Sequence, residues 1–313
     1  MQAIIKMMTN MQTKDIKKDS LKAWILASRP KTLSGAAVPV MIGLSLAYKD
    51  SCLYEGEPFC WLPAILCLLF AWIMQINANF INDFFDYAKG TDDASTRLGP
   101  RRACAQGWIS VEKMKHAIAI TTCIACITGL PLILYGGLEM VLVGILCVVF
   151  CFLYTTHLSY VGMGDMLVVL FFGIIPVCVP YYIQLHTCST FVVLLSLACG
   201  MVVDTLLIVN NFRDRDTDKA VGKTTLVVKI GEKASLQLYL ALGWGACIMG
   251  LACLTHGYLL AAILPVVYLV LHHYTYMRIK RINRGKALNL CLGETARNIF
   301  IYGMMMTIGI LVS

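Results

Sequence analysis

The chain has 313 residues, 58% of them hydrophobic and only 14% charged, with a formal net charge of +8. Soluble domains are about 45–50% apolar and about 25% charged, so a soluble globular protein, a disordered chain and a disulfide-stapled secreted module are excluded. The composition fits an all-α, polytopic bundle of membrane-spanning helices, in which every backbone polar group is satisfied inside a helix.

Met1–Lys22 reads as a polar tail on the cytoplasmic side, with lysines at 14, 17, 18 and 22 and no apolar stretch before a small-residue cleavage site, so it is not expected to be a signal peptide. Nine apolar stretches follow, each close to the roughly 20 residues that a spanning helix needs. They cover 32–48, 61–81, 116–135, 138–156, 163–184, 190–210, 235–255, 258–277 and 294–312, and the whole chain, 1–313, reads as one domain. Pro176 and Pro180 are expected to kink the fifth span and Pro265 the eighth, where neighbouring helices can satisfy the freed backbone groups. The 14 cysteines are scattered singly through the apolar stretches and read as small hydrophobes.

The basic residues fix the expected topology. If the N-terminus is cytoplasmic, all but Lys49 and Arg297 of the 26 lysines and arginines fall in the tail and in the connections after the second, sixth and eighth spans, and Arg297 opens the ninth span on that side. The positive-inside rule requires only an excess. The N-terminus is therefore expected inside and the C-terminus outside, and the positive charge is accounted for without nucleic acid.

Seven of the 18 acidic residues crowd into two short stretches. Asn79, Asn82, Asp83, Asp86, Asp92 and Asp93 follow the second span, and Asn210, Asn211, Asp214, Asp216 and Asp218 follow the sixth. The common plan, asparagines, then aspartates, then a Lys/Gly/Thr-rich segment, suggests an internal duplication. Asn82 and Asp86 are four apart, as are Asp214 and Asp218, so each pair shares a helix face. Asp92 follows a glycine and can fold back from the loop. Carboxylates crowded at one membrane face need cations, since one placed at the bilayer centre costs about 2.5–3.5 kcal/mol on insertion scales. Carboxylate and amide oxygens suit Mg2+, which is usually held by one or two carboxylates together with substrate phosphates. The two clusters thus imply a diphosphate substrate bridged by Mg2+, with the interleaved Lys and Arg on its remaining oxygens.

The spacing Asn82–Asp86–Asp92 and Asp214–Asp218 resembles the two aspartate motifs of the UbiA superfamily of intramembrane aromatic prenyltransferases, and the resemblance spans essentially the whole chain. Arg29-Pro30-Lys31-Thr32-Leu33, the segment from Asn82 through Asp92 to Arg101, Leu153-Tyr154-Thr155, Gly164-Asp165, and Gly222 through Leu226 are similar to the branch that prenylates 1,4-dihydroxy-2-naphthoate. The chain departs from that branch at Thr156-His157-Leu158-Ser159-Tyr160, which is shorter and carries Ser159 where some relatives have lysine.

The resemblance implies a nine-helix fold, a polyprenyl diphosphate donor, 1,4-dihydroxy-2-naphthoate as acceptor, Mg2+ as cofactor and the lipid bilayer as surroundings, with the cytoplasmic membrane of a bacterium as location. Diphosphate and CO2 leave, and the product is demethylmenaquinone or its quinol. Asn82, Asp86, Asp92, Asp214 and Asp218 are the expected metal ligands, and Asp83 is expected behind them. Arg29, Arg97, Arg213 and Lys223 are expected on the diphosphate. Asp204, the acidic residue well inside an apolar span, is expected at the acceptor cavity or behind Asn210 or Asn211, because such residues are functional by default. Phe84, Phe85, Tyr87, Tyr154 and Tyr160 are the aromatic rings that would shield an allylic cation, Tyr154 foremost. His157 and Asp165 fall at the turn after the fourth span, and His272 and His273 are expected at the interface. The alternatives are a UbiA enzyme acting on 4-hydroxybenzoate or haem, and a cation-coupled transporter. Transporters place their ion sites near the midplane, whereas both clusters here sit at one surface.

Overall fold

Residues 16–53, 58–90 and 97–313 are described by the structure, a computed structural model, and all regular elements among them are helical. The first is a short helix that the polar tail did not announce. Helix α1 (Leu21–Ser28) is capped by Ser20, whose Oγ accepts from the Ala23 amide at 3.3 Å. It leaves Leu21, Ile25 and Leu26 exposed. It ends at Arg29, whose left-handed backbone (φ 50°, ψ 68°) turns the chain into the first span.

Nine helices among the described residues are long and apolar enough to cross a membrane: α2 (Pro30–Cys52), α3 (Trp61–Ala88), α4 (Val111–Gly136), α5 (Glu139–Leu158), α6 (Gly164–Leu185), α7 (Thr190–Ala220), α8 (Leu226–His256), α9 (Leu259–Ile282) and α10 (Leu288–Val312). Each corresponds to an expected span. Leu134 on α4 is 85% exposed, and Ile127 and Leu142 also point outward, an apolar belt that only lipid can cover. The chain is an integral membrane protein.

The ends differ from the sequence reading at two decisive places. Helix α3 continues to Ala88 and α7 to Ala220, past the expected ends at 81 and 210. Asn and Asp favour caps and turns because their side chains compete for backbone groups. Here that competition is removed. Both oxygens of Asp83 accept from amides of another segment, and Asp214 is held by a neighbouring arginine. Both aspartate motifs are therefore helical over the residues that the structure describes.

The helices are interrupted at several places. A wide π turn covers Tyr154–Leu158 at the end of α5, and a second covers Leu170–Ile174, just before Pro176, where a kink was expected. Helix α9 is broken at Pro265. Such π segments occur often at functional sites.

Helix α7 is the most buried span and packs against α2, α6, α8 and α10. Small residues let backbones approach closely in membrane bundles. A Cβ at Gly43 would overlap the Val177 carbonyl oxygen, and one at Gly173 would lie 2.6 Å from the Gly200 Cα. At the C-terminal end of α2, Asp50 accepts from Tyr181 (2.6 Å) and Tyr258 (2.9 Å), tying three elements together. His272, expected at the interface, is instead fully buried. Its ring stacks 4.4 Å from Tyr239, and its Nε2 lies 3.0 Å from the Tyr239 carbonyl oxygen.

The Lys/Arg-rich connections meet at the opposite end. Asn289 donates to the Leu98 carbonyl (2.8 Å), Arg215 to Asn283 (2.9 Å), the Thr224 amide to Tyr160 (2.9 Å) and Lys89 to Thr156 (2.6 Å). The cysteines of the described residues are all free, and no group of three His, Cys, Asp or Glu gathers among those residues as a metal cage.

Candidate active site

A cavity of about 1700 Å³ opens at the basic end and runs inward between α2, α3, α5, α6 and α7. Its deeper wall is apolar, with Met74, Val148, Phe171, Phe172, Ile175 and Val179. Its mouth is polar and is built from three walls.

The first wall is the end of α3. Asn82 and Asp86 line the cavity. Asp86 pairs with Arg102 at 2.7 Å, and the Asn82 amide oxygen accepts from Thr155, within the π turn. Asp83 points elsewhere. It is 1% exposed, and its carboxylate accepts the amides of Ala103 (2.8 Å) and Cys104 (2.9 Å). It therefore pins the loop that carries Arg97, Arg101 and Arg102. Phe84 and Phe85 pack with Ala103 and Ile109 rather than on the cavity, and Tyr87 is largely exposed, so none of the three is placed to shield a cation there.

The second wall is α7, where Asn210, Asn211, Asp214 and Asp218 line the cavity with Lys223 beyond them. Lys223 reaches Asp218 Oδ1 at 3.5 Å, while Asp218 Oδ2 is buried without a hydrogen-bond partner. Arg213 differs from expectation. It is 2% exposed and stands off the cavity wall. It grips Asp214 through Nε (2.8 Å) and Nη2 (2.5 Å), Asn289 at 2.9 Å and Asn210 at 2.9 Å, and Gly99 leaves room for it. These hydrogen bonds hold Arg213 against Asp214 and turn it away from the cavity.

The third wall is basic. Asn79 donates to the Ser28 carbonyl and to Thr32, both at 2.9 Å, which holds the corner between α1 and α2 and with it Arg29. Arg29 is half-buried, and its Nη2 lies in the wall without a hydrogen-bond partner. Burial, then the charges of Arg102 and Arg97, push its guanidinium down to about 9. Arg97, whose Nε donates to the Pro100 carbonyl at 2.7 Å, is pushed down to about 10 by burial and then by Arg102. Both remain cationic at neutral pH. Arg29, Arg97 and Arg102 thus line the rim of an apolar cavity with guanidinium groups, whose chemistry suits a multivalent anion.

Tyr154 and Tyr160 line the cavity, and the Lys89 ammonium sits 4.1 Å from the Tyr160 ring. Asp204 is buried and does not line the cavity, whereas Asp165 does. Asp92 lies outside the described residues. Sequence reasoning missed three contributors: Arg102, which read only as a topology charge; Thr155, the partner of Asn82; and Asn289, which nothing in its Leu-Asn-Leu surroundings marks.

The donor set fits a divalent cation shared with a phosphate. Each of two walls supplies carboxylate and amide oxygens, and one carboxylate oxygen of Asp218 is unpartnered. Such a donor set matches Mg2+, an ion that shares its coordination with substrate phosphates and water.

The model of the UbiA prenyltransferase family matches residues 36–296. The 1,4-dihydroxy-2-naphthoate octaprenyltransferase of Escherichia coli (strain K12) is 34% identical over 236 residues, covering 72% of this chain and 74% of that protein. The Haemophilus influenzae protein of the same name is 33% identical over 230 residues, covering 71% and 73%. Among solved structures, a UbiA homolog from Aeropyrum pernix K1 superposes with a TM-score of 0.64 at 16% identity, covering 87% of this chain and 97% of that one. A UbiA homolog from Archaeoglobus fulgidus bound to DMAPP and Mg2+ gives a TM-score of 0.57 at 15% identity, covering 91% and 99%.

Proposed function

The chain belongs to the UbiA prenyltransferase family, and from that premise we propose that it transfers a polyprenyl group from a polyprenyl diphosphate to 1,4-dihydroxy-2-naphthoate, releasing diphosphate and CO2 and forming demethylmenaquinol. The observation that carries the reading is one cavity with a mouth of paired carboxylates and arginines and an apolar interior. A diphosphate headgroup matches the mouth and an isoprenoid tail matches the interior. The names of the relatives support the naphthoate acceptor.

Asn82, Asp86, Asp214 and Asp218, with Asp92 by its motif position, would hold Mg2+, which when bound neutralises charge growing on the departing diphosphate. Arg29, Arg97, Arg102 and Lys223 bind phosphate oxygens through charge-assisted hydrogen bonds. Arg213 and Asn210 keep Asp214 oriented. These cations are set before reaction, which is where electrostatic catalysis gains most. As the allylic C–O bond breaks, its electron pair leaves with diphosphate. Tyr154, on the cavity wall, is the ring best placed to shield the resulting carbocation, and the apolar walls keep water from capturing it. The ring carbon bearing the acceptor carboxylate forms the new C–C bond, and the bond to that carboxylate then breaks, returning its electrons to the ring as CO2 departs. The basic end faces the cytoplasm of a bacterial cell, so both substrates reach the mouth from the inner side.

The test uses membranes containing the full chain, polyprenyl diphosphates of several lengths, Mg2+ and alternative acceptors. A prenylated product from 1,4-dihydroxy-2-naphthoate that is lost on chelation and restored by Mg2+ is expected. A product from 4-hydroxybenzoate but not from the dihydroxynaphthoate would overturn the acceptor.

A further inference from the structure

The cavity holds a polar spot that the diphosphate chemistry leaves unused. Asp165, in the first turn of α6, lines the cavity at 7% exposure, and its Oδ1 is buried without a hydrogen-bond partner. Asp204 on α7 is 3% exposed, and its Oδ1 is equally unpartnered. Helices α6 and α7 run antiparallel, and the Val169 carbonyl of one lies against Gly200 of the other. One turn further toward the basic end on both helices, this register sets Asp165 opposite Asp204. The two carboxyls lie within electrostatic reach of each other, and Tyr154 lies within reach of both. A Cβ on Gly164 would stand 3.3 Å from Leu207 and 3.7 Å from the Tyr154 ring, so the spot is tightly walled. None of the ion pairs among the described residues involves either carboxyl. Buried polar oxygens without partners are rare in native proteins, and each calls for an explanation.

We propose that Asp165, positioned by Asp204, accepts a hydrogen bond from the acceptor's ring hydroxyl farther from its carboxylate, and so sets which way the ring faces in the cavity. The inference rests on the reading of the acceptor as 1,4-dihydroxy-2-naphthoate. Charge supports this orientation. The acceptor's own carboxylate is repelled by the Asp165–Asp204 pair and attracted by Arg29, Arg97 and Arg102 at the mouth. Its far hydroxyl, a hydrogen-bond donor, is the part that the aspartates receive.

The experiment compares 1,4-dihydroxy-2-naphthoate with 1-hydroxy-2-naphthoate, which lacks the far hydroxyl, as ligands of the full-length protein in detergent. Sites built to hydrogen-bond a hydroxyl reject the analogue lacking it. The wild type is expected to bind the monohydroxy compound at least about tenfold more weakly, a modest share of what such sites achieve. In Asp165→Leu and Asp204→Leu the ratio should fall toward one while the KM for the prenyl diphosphate stays unchanged, a pattern that general loosening of the fold would not give. Asp165→Asn, which keeps an acceptor oxygen, should retain most of the discrimination. Equal binding of the two naphthoates by the wild type, or wild-type discrimination in Asp165→Leu, overturns the inference. The first of these needs no variant and stands even if a substituted chain does not fold. A wild type that makes no product from the dihydroxynaphthoate removes the functional reading itself, and the inference with it.

Discussion

Asp83 gives the sharpest test of how the mouth is held together. It is 1% exposed and accepts the Ala103 and Cys104 amides at 2.8 and 2.9 Å. A hydrogen bond to a charged group contributes about 1.5–3 kcal/mol, so Asp83→Ala removes about 3–6 kcal/mol of attachment between α3 and the loop bearing Arg97 and Arg102. Asp83→Asn keeps one acceptor oxygen but turns an NH2 toward the second amide, which forfeits about half of that or more. Because about 1.4 kcal/mol is a factor of ten, even the asparagine variant shifts the docked-to-undocked ratio of the loop by more than tenfold. The expected result is a raised KM for the prenyl diphosphate in Asp83→Asn, raised further in Asp83→Ala, and a smaller change in the acceptor KM. Hydrogen exchange of the Ala103 and Cys104 amides should accelerate in parallel. An Asp83→Asn protein with wild-type donor KM and wild-type protection at those amides refutes the assignment of Asp83 as the anchor of this loop.

Asp86→Ala and Asp214→Ala should each abolish turnover in membranes while the protein stays folded and inserted; near-normal turnover in either would remove the metal-bridge reading. For Arg29, whose guanidinium is pushed down to about 9, the donor KM of the wild type should climb as pH passes 9, and that rise should be missing from Arg29→Gln. Stability should move the other way. A cation whose folded-state value lies below its ordinary one destabilises the fold while charged, so the wild-type melting temperature measured against Arg29→Gln should rise as the pH climbs past 9; a fall would contradict the burial of this group. Gly43→Val drives a branched side chain into the Val177 carbonyl and should destabilise the bundle by about 1–3 kcal/mol through overpacking, read as a lower unfolding temperature in detergent with the donor KM preserved.

The spans were legible because apolar runs of bilayer length are separated by connections that carry most of the charge. The paired aspartates were legible because helical spacing is written in the sequence. Their setting was not. The apolar runs end at 81 and 210, and only the amides that Asp83 captures and the arginine beside Asp214 show what holds the polar turns beyond them in helix. Arg213 looks in sequence like any other diphosphate-binding arginine. What turns it inward is Asn289, a partner supplied by a distant helix. His272 reads as interfacial from its position near the end of an apolar run, and is buried because Tyr239 of another helix stacks on it. Side-chain type and spacing are local, whereas burial is decided by neighbours remote in the chain.

Because the aspartates of α3 and α7 ride on continuous helices, their angular placement is coupled to chain length like a thread on a screw. One extra residue between Phe80 and Asp83 would advance the downstream part of α3 by about 100°, swinging Asp86 off the cavity and Asp83 away from the amides it holds. Within the last turns of α3 and α7, length is frozen, and variation there is confined to exchange of one side chain for another.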